Sequence, residues 1–213
     1  MSLCTIVGVG PGIGLSVAKR FAQEGFDIAM IARSADRLNL YSKFLEDEYS
    51  AKSFGFMADV SHFDQLEGVL KEIHKQHGST DVLVYNAAVV QKTKPLVLSA
   101  ANHMYHLAVD VGGAIVSVHK VLPEMLQKGE GTILFTGGNF ATEPSSEHYA
   151  LSMGKAALRN FGLNLAQEYA PKGIHIAVVS VHGKVTDPYR IANTYWNLHT
   201  QSREKWEPEV QVR

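Results

Sequence analysis

The sequence predicts an α/β fold: a doubly wound parallel sheet with helices on both faces, in three layers. Three observations predict it. Short apolar runs alternate with amphipathic stretches along most of the chain. Runs such as "TILFT" and "IHIAVVSV" are continuously apolar, as strands covered on both faces must be. The first apolar run ends in a glycine cluster, "VGVGPGIG", that opens directly into a helical pattern.

Taken in order, strands are predicted over Leu3–Val7, Asp27–Ala32, Lys52–Met57, Asp81–Tyr85, Gly131–Thr136 and Ile174–Val181. Helices are predicted over Gly12–Gln23, Ala35–Tyr49, Phe63–His77, a long Ala101–Gln127, and Leu151–Ala170. Strand–helix alternation implies right-handed crossovers, and ligands then bind at the carboxyl ends of the strands. After Val181 the rhythm weakens; "DPYRIANTYWNLH" reads as a helix and "EVQVR" as an edge strand.

Composition narrows the function. The chain has 213 residues, 46% hydrophobic and 19% charged, which suits one globular domain over 1–213 and excludes a disordered chain. A formal net charge of −1 argues against nucleic acid as a partner. Cys4 is the only cysteine, so neither a disulfide framework nor a cysteine-based zinc site is expected. No apolar stretch approaches the roughly 20 residues of a membrane span, and no secretory signal is visible. A cytoplasmic protein with a small-molecule substrate is the expectation.

The glycine cluster carries the first functional signal. Gly8, Gly12 and Gly14 form G-x-x-x-G-x-G, with Gly10 and Ile13 in the same turn. Side chains there would block a pyrophosphate from the backbone, and a helix N-terminus favours an anion. The cluster points to a Rossmann-type dinucleotide site; a tight turn with no ligand, or a methyltransferase, could share it, so the next positions must discriminate. The second strand ends in Ala32, where an acid would bind the ribose 2′-hydroxyl of NAD(H). Arg33 follows instead, and a guanidinium pairs with a 2′-phosphate, so NADP(H) is expected over NAD(H). Asp59, beside Val60 at the third strand's tip, can accept from an adenine amino group. Asn86, Ala87 and Ala88 end the fourth strand and leave room for the cofactor.

"GVGPGIG", "ADV" and "YNAAV", in this order and spacing, resemble the fingerprints of the short-chain dehydrogenase/reductase family. "GKAALRNFGLNLAQEYAPKGIHIAVVSVHGKV" resembles its lysine-bearing helix, next strand and cofactor-holding turn, which adds Lys155, Gly183 and Val185 to the cofactor residues. The resemblance spans about Leu3 to Val185. It implies a seven-stranded sheet, NAD(P)(H) binding, carbonyl–alcohol redox chemistry and pairing into a homodimer or homotetramer. Residues 186–213 look like a shortened substrate-loop region with a possible edge strand.

The resemblance fails at the proton-transfer positions. The family combines asparagine, serine, tyrosine and lysine. Lys155 matches the lysine, but Leu151 stands four residues earlier in place of tyrosine. Gly138 stands in place of serine and Asp110 in place of asparagine. Tyr149 is either a substitute or a structural tyrosine; six residues before Lys155 is about 240° around a helix, so as a substitute it would have to fold back from a preceding loop. Asp110 is either a proton carrier with a raised pKa or a carboxylate paired with Lys155. His103, His106 and Asp110 share one helix face at i, i+3 and i+7. Nothing supplies a further ligand, so no metal is expected; His106 and Asp110 could instead relay a proton. Tyr189, Tyr195 and Trp196 either roof a substrate pocket or belong to the core or a subunit contact.

Two readings follow: an NADP(H)-dependent oxidoreductase with an altered proton-transfer set, or a cofactor-binding sensor or assembly protein that has lost catalysis. A methyltransferase is disfavoured by "YNAAV" and the lysine helix.

Overall fold

The computed structural model describes residues 2–183, 185 and 187–213. Lys184, in the expected cofactor-holding turn, and Thr186, at the start of the C-terminal stretch, lie outside the described residues.

Seven strands form one fully parallel sheet: β1 (Leu3–Val7), β2 (Asp27–Ala32), β3 (Ser53–Met57), β4 (Val82–Tyr85), β5 (Gly131–Thr136), β6 (Ile174–Val181) and β7 (Glu209–Val212). Their order is β3-β2-β1-β4-β5-β6-β7, so the chain starts in the middle, winds outward one way, then returns and winds the other. Every residue of β1 and β4 is buried, whereas the edge strands β3 and β7 are partly exposed. The continuous apolar runs thus mark the centre of the sheet and the patchier ones its borders.

Among the described residues, seven α-helices cover the two faces: α1 (Ile13–Gln23), α2 (Ala35–Tyr49), α3 (Phe63–His77), α4 (Ala100–Leu107), α5 (Gly113–Lys128), α6 (Tyr149–Tyr169) and α7 (Pro188–His199). α1, α2 and α7 bury Phe21, Leu45 and Tyr195 on one face. α3, α5 and α6 bury Leu66, Val118 and Leu158 on the other. The helix predicted over "DPYRIANTYWNLH" is α7, capped by the Asp187 carboxylate, which accepts from the N–H groups of Tyr189 and Arg190 at 3.0 and 3.1 Å.

Two local features depart from the sequence expectation. The long helix expected over Ala101–Gln127 contains a π turn, Ala108–Gly112, between α4 and α5. The groups the turn displaces find partners outside the helix: the Tyr85 hydroxyl donates to the Val109 carbonyl, and the Val89 N–H donates to Asp110 Oδ1 at 2.9 Å. α6 starts at Tyr149, two residues earlier than the apolar period indicates. Thr93, from the loop after β4, supplies the cap: its carbonyl accepts from the Tyr149 N–H at 3.2 Å and its hydroxyl from the Ala150 N–H at 3.1 Å. A cap delivered from 57 residues away leaves no local signature.

α6 lies close over the π turn because Gly154 has no side chain. A Cβ there would stand 2.4 Å from Asp110 Oδ2. Gly154→Ala is expected to force these elements apart and to destabilise the fold by about 1–3 kcal/mol, the usual cost of overpacking. Urea unfolding of the variant checks this, and an unchanged midpoint would contradict the close packing.

Candidate dinucleotide and active site

At the boundary between β1 and β4, where the winding direction reverses, the carboxyl ends of the strands part. A cleft of about 1230 Å³ opens there. All the residues expected to face a cofactor line it: Gly8, Gly10, Gly12, Ile13, Gly14, Arg33, Asp59, Val60, Asn86, Ala87, Ala88, Lys155, Gly183 and Val185.

The turn after β1 is shaped by close approach. Gly8 has φ +90°, and a Cβ on it would lie 2.4 Å from the Ala87 nitrogen. Gly10 and Gly12 differ: a Cβ on either would meet no protein atom within 4 Å. Their bareness keeps the cleft floor open above the N-terminus of α1, whose first turn carries no acidic residue. That is the form of an anion cradle. The residues fit a dinucleotide's pyrophosphate.

The end of β2 is basic. Arg33 and Arg37 both line the cleft and both are exposed. Arg37, missed at the sequence level, is placed by Ser34, whose side chain accepts from the Arg37 N–H at 3.4 Å and starts α2 there. Recognising Ser34 as a helix cap puts Arg37 one turn in, which was the available signal. Arg33 Nη1 also reaches the Tyr105 hydroxyl at 3.5 Å. Burial works against the charge on Asp59. The N–H and hydroxyl of Ser61, at 2.9 and 2.7 Å, outweigh it, and its pKa falls below the ordinary value.

The opposite end holds the remaining chemistry. Lys155 is 7% exposed, and its ammonium donates to the Thr136 carbonyl at 2.5 Å. Burial pushes its pKa down to about 8, with the Asp110 charge pulling the other way. Asp110 is 1% exposed and lies behind the cleft wall, not in it. Burial pushes its pKa up to about 6, against the Val89 N–H bond and the Lys155 charge. Among the described residues its Oδ2 has no hydrogen-bond partner, and the two groups do not form an ion pair. Of the sequence alternatives, the paired carboxylate does not take the form of a direct ion pair, although each charge still acts on the other.

Leu151 and Gly138 both line the cleft. Tyr149 does not. It starts α6, about 120° around the helix from Lys155, with its ring edge-on to His103 at a centroid distance of 5.1 Å. The expectation that it folds back towards Lys155 is corrected: the Thr93 cap draws it into the helix. Among the described residues, no group of three His, Cys, Asp or Glu side chains could hold a metal. His106 is buried with Nδ1 unpartnered, and His103 Nε2 is likewise unpartnered.

The aromatic helix is not a roof. Tyr195 is fully buried beneath the cleft floor, Trp196 packs edge-on against Phe21, and the Tyr189 hydroxyl donates to Gln23. Thr136, which the sequence shows only as the end of an apolar strand, proves central. Its hydroxyl donates to Asn86 Oδ1 at 2.9 Å and meets the Tyr195 hydroxyl at 2.7 Å.

The model of the family described as "short chain dehydrogenase" matches residues 3–191. The chain belongs to this family. Among similar proteins, an uncharacterized oxidoreductase of Staphylococcus saprophyticus is 24% identical over 97% of this chain and 86% of its own. The inactive hydroxysteroid dehydrogenase-like protein 1 of Homo sapiens is 28% identical over 80% of this chain, which spans only 52% of it. A metagenomic short-chain oxidoreductase solved in complex with NADP superposes with a TM-score of 0.93 at 22% identity, covering 100% of this chain and 96% of that one. No helix among the described residues is long and apolar enough to cross a membrane.

The raised pKa of Asp110 has a testable sign. The unfolded carboxyl titrates near 3.8 and the folded one at about 6, so folding holds the proton more tightly. The group favours folding below pH 4 and opposes it as pH rises through 6, by ~3 kcal/mol at neutrality. Asp110→Asn is therefore expected to raise the urea midpoint at pH 7 relative to the unmodified chain, and the gain should disappear near pH 4. A gain that is the same at both pH values would show that ionisation of Asp110 is not its cause.

Proposed function

We propose that the chain is an NADP(H)-dependent oxidoreductase acting on a small carbonyl or alcohol, with an altered proton-transfer site. One observation carries the reading. The cleft has a bare glycine floor at a helix N-terminus, two arginines at the β2 end where no acid stands, and a buried lysine at the other end. The family assignment and the fold shared with an NADP-bound oxidoreductase support it.

In this reading the backbone of the Gly8–Gly14 turn holds the pyrophosphate. Arg33 and Arg37 hold the 2′-phosphate, and Asp59 accepts from the adenine amino group. Lys155 binds the nicotinamide ribose. The bound cofactor supplies or accepts a hydride. The chain must then handle a proton, and neither Leu151 nor Gly138 has one to give. Lys155, at about 8, and Asp110, at about 6, are the groups there whose protonation changes near neutral pH. Lys155 Nζ is the proton-bearing atom at the cleft, with the Asp110 charge behind it favouring its protonated form.

Titration calorimetry tests cofactor choice. NADPH is expected to bind more tightly than NADH, and Arg33→Ala or Arg37→Ala to remove on the order of tenfold of that preference. Tighter binding of NADH to the unmodified protein would overturn the assignment.

A second reading, a cofactor-binding sensor or assembly protein without turnover, is favoured by Leu151 and Gly138 and by the likeness to the inactive human protein. A positioned acid contributes about 10²–10⁴-fold, so NADPH oxidation on simple ketones is expected to be slow and indifferent to Tyr149→Phe. Gly138 has extended backbone and open space, its nearest contact for a Cβ being the Val181 carbonyl at 3.6 Å. Leu151→Tyr with Gly138→Ser should raise turnover in stopped-flow assays; tight NADPH binding with no turnover in either protein would favour the sensor. Exposed Ile115 and Met153 on α5 and α6 suit a homodimer or homotetramer, which sedimentation at micromolar concentration checks. A cytoplasmic location completes the proposal.

A further inference from the structure

Thr136 is the last residue of β5, 6% exposed, and its side chain has two polar neighbours. Its single hydroxyl proton goes to Asn86 Oδ1, so the Tyr195 phenol must be the donor in the 2.7 Å contact. Asn86 passes the connection on, its amide donating to the Gly8 carbonyl at 2.8 Å. The Thr136 carbonyl meanwhile holds the Lys155 ammonium. One residue therefore anchors both the glycine turn and the buried lysine, and its hydroxyl is oriented from below by a side chain of α7.

α7 is itself firmly seated. Arg20 of α1 donates to Asn193 at 2.8 Å, and Phe21 packs against Trp196 with centroids 5.4 Å apart. Tyr195, in the middle of this helix, is 0% exposed, so its hydroxyl cannot turn to water. Thr136 supplies its partner. The phenol is a rigid post between the C-terminal helix and the cleft floor.

We propose that Tyr195 is a positioning residue for the nicotinamide half of the cofactor: its hydroxyl fixes Thr136, which sets Asn86 with the glycine turn on one side and Lys155 on the other. This rests on the cofactor reading above. Tyr195 touches no ligand, because it lies under the floor. It acts only through Thr136, and only on the end of the cleft that Thr136 holds. The adenine end, with Arg33, Arg37 and Asp59, hangs from β2 and β3 and is outside this chain of bonds.

That asymmetry gives the test. Binding of NADPH and of adenosine 2′-monophosphate, which reaches only the adenine end, is measured by calorimetry on the full chain and on Tyr195→Phe. NADPH affinity is expected to fall about three- to tenfold, the scale of one neutral hydrogen bond, while the adenosine 2′-monophosphate affinity stays unchanged. Thr136→Val should weaken NADPH at least as much, and adding Tyr195→Phe to it should cost nothing further, because the phenol then has no hydroxyl to orient. Thr136→Ser, which keeps the hydroxyl, should restore NADPH binding and serves if Tyr195→Phe folds poorly. Equal NADPH affinity in the unmodified and Tyr195→Phe proteins overturns the proposal, as does equal weakening of both ligands, which would mark a merely structural tyrosine. If the unmodified protein binds adenosine 2′-monophosphate and NADPH not at all, the cofactor reading itself falls.

Discussion

The cleft exists because adjacent parallel strands send their chains to opposite faces of the sheet, and it keeps its shape because Asn86 spans the gap. The Asn86 backbone N–H donates to the Val7 carbonyl and its side-chain amide to the Gly8 carbonyl, both at 2.8 Å. Its side-chain oxygen accepts from Thr136. A single amide therefore joins the ends of β1, β4 and β5. No other side chain of this size offers a donor and an acceptor in this arrangement. An apolar replacement would leave the Gly8 carbonyl and the Thr136 hydroxyl without these partners in a half-buried site, at about 1–3 kcal/mol each. Asn86 thus fixes the turn on which any ligand must rest, whether or not it also touches that ligand.

At the other end, Lys155 lines the cleft and Asp110 is buried behind its wall. Lys155 and Asp110 are both buried, yet they do not form an ion pair. Each is shifted towards its neutral form by desolvation, and each resists the shift through the other's charge. The arrangement is built by backbone. The π turn swings Asp110 beneath α6, and Gly154 makes room for its carboxyl. Such a pair is a poor stabiliser, since charges out of water and out of contact recover little of their desolvation cost. Perturbed titratable groups gathered at a cleft are instead what proton transfer near neutral pH requires. This is the observation on which the proposed proton-transfer site rests.

Much of this was legible in the sequence. Continuous apolar strands, regular alternation and a glycine turn between strand and helix are local patterns, and they specify the sheet and the place of the cleft. What was not legible depends on contacts distant in sequence. Thr93 caps α6 from the loop after β4, and so moves the helix start to include Tyr149. The π turn answers to Tyr85 and Val89, on another strand and its following loop. Thr136 looked like strand interior because its importance lies in a phenol 59 residues later. Arg37 alone was missed for want of reading a local sign, the Ser34 cap.

The residues that line the cleft are not equally informative about its use. Gly8, Gly14 and Asn86 are demanded by the fold: side chains on the two glycines would strike Ala87 or the β1 turn, and Asn86 ties the strands. Their presence would be expected even in a chain that binds nothing. Gly10, Gly12 and Lys155 are different. A Cβ at Gly10 or Gly12 would meet no neighbour within 4 Å, and neither has the positive φ that would require glycine. Glycine there gives the unfolded chain extra freedom to lose and provides no packing in return. A buried lysine is similarly hard to justify by stability, because its one hydrogen bond does not cancel the cost of desolvating an ammonium. The features that the fold would do better without are those that a bound dinucleotide would use. This favours cofactor binding in both functional readings, and it places the difference between them at Leu151 and Gly138, neither of which carries a hydroxyl.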